Sequence, residues 1–132
     1  LVIDCVFGEP FRHHCRYREQ YIELWKKLVG FLEKKCVCYY TSNTIKGEPE
    51  SQEKNWTQEE KEKVCANFIN EDGDFAWHEM GLVDENGEIL FASREFGTVY
   101  CLNGLDEIQT KEIIDYLNAL PNSREILSYQ LY

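Results

Sequence analysis

Asp84-Glu85-Asn86-Gly87 stands between two runs rich in apolar and aromatic residues, Phe75 to Val83 and Glu88 to Ser93. Asn-Gly is a strong signal for a tight turn, because both residues tolerate the left-handed backbone that hairpins use. Two strands joined this way lie adjacent and antiparallel. Gly97-Thr98-Val99-Tyr100-Cys101-Leu102 supplies a third strand, so the middle of the chain is committed to an antiparallel meander.

The flanking segments add helices and outer strands. Leu1 to Phe7 reads as a first strand; it carries Asp4 and no basic lead-in, so it does not read as a secretion signal. There is no initiator methionine, as expected of a trimmed chain or a fragment. Tyr17, Tyr21, Ile22, Trp25, Leu28, Val29 and Leu32 recur at three-to-four spacing, which predicts a helix over Tyr17 to Lys35. Cys36 to Thr41 is aromatic and β-branched and predicts a strand, whereas Ser42 to Asn55 is polar and reads as an exposed loop. Thr57 and Glu60 form a capping box for a helix burying Val64, Cys65, Phe68 and Ile69 and ending at Asp72-Gly73. A last helix starts at Asp106 with Gln109 at its third position. It presents Ile108, Ile113, Ile114 and Leu117 and stops at Pro121. Arg124 to Tyr132 is expected to be a terminal edge strand. The order is β-α-β-α-β-β-β-α-β, an α+β fold with a largely antiparallel sheet and about three helices, in one domain over residues 1–132.

Charge is unevenly distributed. The net charge is −10, and between Glu48 and Glu88 there are 13 acids against 3 bases, while the remainder has 11 of each. The whole excess lies in that stretch. Its field repels nucleic acid and anionic membranes and steers basic partners towards it. No apolar run approaches the ~20 residues needed to span a bilayer. The six cysteines fall within apolar patterns of a chain large enough to build its own core, so they are expected to be reduced, mostly buried thiols in the cytoplasm.

The motifs for specific chemistries are incomplete. Calcium-loop registers set on Gly73 or Gly87 put Phe68 or Leu82 where the first acidic ligand belongs. His13, Cys15, Cys36 and Cys38 bracket the first helix and are the candidates for zinc, but the spacing fits no zinc-ribbon pattern. The expectation is no metal and no cofactor. Phosphate-binding glycine loops and a nucleophile elbow are missing, and Cys15 beside His14 is the only adjacent thiol–imidazole pair.

The remaining feature is the acidic, aromatic segment 70–88, with seven carboxylates and no lysine or arginine. Acids around aromatic anchors suit a surface for a basic protein, where charge speeds encounter and the rings supply affinity. The sequence therefore predicts a small acidic inhibitor of the immunity or antitoxin kind, covering a basic, nuclease-type toxin domain. Its binding residues would be Glu71, Asp72, Asp74, Trp77, Glu79, Asp84, Glu85 and Glu88. Two other readings stay open: a regulatory or adaptor domain with a small ligand in an apolar pocket, and an enzyme using His78, Glu79 or a cysteine.

Overall fold

The Asp84–Gly87 turn closes as a hairpin, with glycine doing the left-handed step alone. Gly87 has φ 81°, while Asn86 keeps a negative φ. Asp84 Oδ1 accepts from the amides of Asn86 and Glu88, each at 2.9 Å. This is a longer loop closed by a glycine bulge rather than a two-residue turn. The structure is a computed structural model and describes residues 1–6, 10–12, 15–32, 37–43, 49–71 and 73–131.

The strands are β1 (Val2–Cys5), β2 (Val37–Asn43), β3 (Pro49–Asn55), β4 (Glu79–Val83), β5 (Ile89–Arg94), β6 (Val99–Leu102) and β7 (Leu127–Gln130). They form one sheet in the order β3-β2-β4-β5-β6-β1-β7. Every neighbouring pair is antiparallel. The helices are α1 (Arg18–Gly30), α2 (Gln58–Ala66), α3 (Glu107–Ala119) and the single turn α4 (Ser123–Ile126). The fold is α+β, with an antiparallel sheet.

Register assigns the two faces of the sheet. Cys38, Tyr40, Met80, Leu82, Phe91, Tyr100, Leu102 and Ile3 alternate along their strands and are all buried. The described helices lie on this face. Trp25 of α1 is fully buried, and its ring centroid lies 5.9 Å from those of Phe91 and Tyr100. Its Nε1 donates to the Val64 carbonyl of α2 at 3.2 Å. α3 buries Ile113 and Leu117 in the same core, and Lys27 of α1 lies over its Tyr116 ring. The opposite face carries Val2, Asp4, Tyr39, Glu79, Gly81, Val83, Ala92, Arg94, Val99 and Cys101.

The Asp106 capping box forms in full, whereas at Thr57 only the side-chain half forms, because the Glu60 carboxylate accepts from the Tyr40 hydroxyl at 2.7 Å. Thr57 Oγ1 accepts from the Glu60 amide at 3.1 Å. Asp106 and Gln109 bond reciprocally, at 2.7 and 3.2 Å.

Other boundaries move, for physical reasons. Within the expected 42–55 loop, β3 pairs along its full length with β2. It is an edge strand, polar because it has one neighbour and begins at a proline, which keeps such an edge from recruiting other chains. α1 ends at Gly30, before the expected Lys35; residues 33–36 lie outside those described. α2 stops at Ala66, before Phe68 and Ile69, because Asn67 leaves the helix at φ −117°. The chain then doubles back through an Ile69–Phe75 bridge. Gly73 at φ 82° and the Asn70 side chain, which accepts from the Asp74 amide at 3.0 Å, hold that reversal. The strand expected from Phe75 begins only at Glu79. Ile108 lies in the first turn of α3 and is 71% exposed, away from the buried stripe.

One glycine is set by a close approach. On the helix-free face the Tyr39 ring lies over Gly81, and a Cβ there would stand 2.6 Å from its Cε1, Cζ and Oη atoms. Gly81→Ala should push the ring off and break the hydrogen bond from Tyr39 to Glu79 (3.1 Å), costing about 1–3 kcal/mol of stability. Urea unfolding of Gly81→Ala in wild-type and Tyr39→Ala backgrounds checks this. The glycine change should cost markedly less once the ring is gone.

Candidate functional site

The described acids of the segment do not share one element. Glu71 and Asp74 precede β4, Glu79 opens it, and Asp84, Glu85 and Glu88 follow it. The β4 backbone from Glu79 to Val83 spans about 14 Å at ~3.4 Å per residue. That exceeds the ~8 Å screening length at physiological ionic strength, so the ends present separate fields.

The acids also differ in what they touch. Asp74 is paired with the Arg12 guanidinium. Glu79 accepts from the Tyr39 hydroxyl, and Arg94 Nε lies 3.9 Å from the same oxygen. Asp84 is spent on its own turn. Glu71, Glu85 and Glu88 are exposed and make no ion pair among the described residues. Asp72 lies outside them.

Trp77 departs from the sequence reading. Its side chain is half-buried, with its ring stacked on Tyr40 (centroids 4.8 Å apart) and edge-on to Phe75 (5.7 Å). It also approaches Trp25 at 6.4 Å. It belongs to the wall of the core because the reversal at 69–75 turns the 75–77 segment inwards before β4 begins.

The residue that sequence reasoning missed is Phe96. In the β5–β6 turn, Glu95, Phe96 and Gly97 have φ of 50°, 56° and 79°, so three consecutive residues are left-handed. Such a conformation costs roughly 1 kcal/mol or more for a non-glycine residue, and it persists only where its surroundings hold it. Gly97 is wedged against the Phe11 and Phe75 rings, at 2.6 and 3.3 Å from a would-be Cβ. The Phe96 amide donates to the His78 carbonyl at 3.0 Å. Thr98 Oγ1 donates to the Glu95 carbonyl, also at 3.0 Å. The Phe96 ring is left 41% exposed, edge-to-face with His78 at 5.1 Å. No periodicity marks it, although Glu-Phe-Gly after a strand is a turn signal.

Beside Phe96 a cleft of about 610 Å³ opens at the end of β1, lined by Asp4, Cys5, Val6, His78, Glu95, Phe96, Thr98 and Val99. Burial, Asp4 and Cys15 together push the Cys5 thiol far above its ordinary value, so it stays protonated and is a poor nucleophile. The five described cysteines are free; Cys38 is fully buried, and Cys5, Cys15, Cys65 and Cys101 are half-buried. Of the zinc candidates, His13 and Cys36 lie outside the described residues. Cys38 faces the core with its sulfur 3.2 Å from the Lys54 carbonyl. Among the described residues no three His, Cys, Asp or Glu side chains converge as a metal site, and no helix is long and apolar enough to cross a membrane.

Two predictions follow from these environments. Trp77→Ala should lower stability by about 2–3 kcal/mol, within the range for large aromatic truncations discounted for partial exposure. A fall in the denaturant midpoint with an unchanged slope is the expected result.

The second concerns pH. Burial, then the Glu79 charge and hydrogen bond, push Tyr39 up to about 12. Burial and the hydrogen bonds with Cys38 and Glu60 push Tyr40 higher still, and burial raises Cys5. Folding therefore favours the protonated forms. That stability is complete below the ordinary values of 9.0 for a thiol and 10.0 for a phenol, and is lost as pH rises through the folded values. The urea midpoint should fall from about pH 9 to 12, together with a rise in tyrosinate absorbance.

Comparisons with models of protein families, with curated proteins and with solved structures found no match.

Proposed function

We propose that this chain is a small acidic inhibitor that binds a basic protein, of the immunity or antitoxin kind, and covers the cationic active site of a nuclease-type toxin. One observation carries the reading: the charge excess is not neutralised within the fold. In the 48–88 stretch the described ion pairs reach Glu60, Asp74 and Glu79. Glu53, Glu59, Glu62, Glu71, Glu85 and Glu88 are exposed and make none among the described residues. Exposed like charges repel in the free protein, and a cationic surface relieves that repulsion on binding. This reading puts the chain in the cytoplasm, with free thiols, and gives it no nucleic-acid or membrane partner.

The test uses the protein encoded beside this chain's own gene. Its nuclease activity should fall to background at one equivalent of the chain. Failure to inhibit it, with the chain folded, overturns the reading. In stopped-flow association, Glu71→Gln and the pair Glu85→Gln/Glu88→Gln should leave stability unchanged. One of the two should slow association several-fold at low salt, and the difference should vanish at high salt. Because the two groups stand at opposite ends of β4, the sensitive one identifies the end that meets the partner.

A further inference from the structure

We infer that the cleft between the end of β1 and the β5–β6 turn receives an arginine side chain of the basic protein partner. The inference rests on the reading above and makes Phe96, not Trp77, the aromatic anchor. Two of the large apolar side chains exposed to solvent, Val6 at 58% and Phe96 at 41%, line this one cleft. Carboxylates stand on either side of them. Asp4 pairs in register with Val99, whose other neighbour is Arg94, and Glu95 is the next residue in the turn. The two backbones are thus about two strand spacings apart, roughly 10 Å. Asp4 and Glu95 are exposed and make no ion pair among the described residues, and the nearby Arg94 is directed at Glu79 rather than into the cleft.

This combination selects a guanidinium. A flat cation lies on an aromatic face while its fixed fork of N–H donors reaches carboxylates on both sides. An ammonium is a more strongly hydrated point charge and gains less from the ring. Phosphate is repelled by the same carboxylates. The turn is also pre-formed: Gly97 sits against Phe11 and Phe75, and the Phe96 amide is bonded to His78, so little ordering remains to be done on binding.

The experiment is a titration of the folded protein with L-arginine amide, followed by amide and His78 ring NMR shifts, with L-lysine amide as comparison. Saturable shifts should be centred on Asp4, His78, Phe96, Thr98 and Val99, with lysine amide several-fold weaker. Phe96→Asn, which keeps a residue tolerant of the left-handed backbone, should retain the fold and weaken the arginine response at least five-fold. Asp4→Asn with Glu95→Gln should weaken it similarly. Shifts centred on Glu85 and Glu88, or a response unchanged in both variants, overturn the inference. If those variants also inhibit the neighbouring gene's nuclease as well as the wild type does, the inhibitor reading stands and only the arginine slot is lost. A normal arginine response with no inhibition leaves the slot and removes the nuclease as its partner.

Discussion

The buried indole of Trp25 is the contact on which the rest of the structure depends. It is fully enclosed and meets Phe68, Phe75, Trp77, Phe91 and Tyr100, with centroids between 4.9 and 6.4 Å. Its single polar atom is bonded to the Val64 carbonyl. One side chain thus joins α1 to α2, to the 68–77 reversal and to the centre of the sheet. A burial of the ~150–250 Å² typical of a large aromatic contributes about 4–6 kcal/mol, comparable to the whole net stability of a small domain. The indole N–H is satisfied only because α2 ends where it does, so the core and the helix boundary support each other.

That dependence explains what could be read from the sequence. The face of α1, the capping residues at Thr57 and Asp106 and the turn at Asp84–Gly87 were legible because each is decided by residues within a few positions of one another. β3 was not legible: Pro49-Glu50-Ser51-Gln52-Glu53-Lys54-Asn55 has neither alternation nor apolar content, and only its long-range pairing with β2 makes it a strand. Trp77 was misplaced for a related reason. Its neighbours suggest a continuous strand from Phe75, but Asn70 and Gly73 reverse the chain just before it and direct the ring onto Tyr40 and Trp25.

The candidate site shows the same division. The acids of segment 70–88 lie close together in sequence, yet those described stand before, at the start of and after β4. Asp74, Glu79 and Asp84 have partners within the fold, while Glu71, Glu85 and Glu88 make no ion pair among the described residues. Composition therefore gives the sign of the surface field and leaves its distribution to topology. The face opposite the described helices is shaped in the same way by contacts within the fold. Gly81 and Ala92, side by side in register, are buried, with the Tyr39 ring lying over Gly81. The centre of that face is closed by the protein's own side chains, and the exposed apolar side chains of the cleft stand at one end of it.

Phe96 is where local preference and the observed backbone conflict most. Glycine or asparagine would sit at φ 56° with less strain, and an exposed phenyl ring returns little burial energy to the core. The fold nevertheless holds the turn from both sides, through Gly97 against two core rings and through the bond to His78. The strain is thus offset by the packing of Gly97 and by the backbone bond of Phe96, while the Phe96 ring stays 41% exposed. A strained residue whose ring stays largely exposed is what the proposed arginine contact would account for. Trp77 illustrates the contrast: it is an aromatic ring of similar prominence in the sequence, but it is half-buried and its ring contacts are with the core.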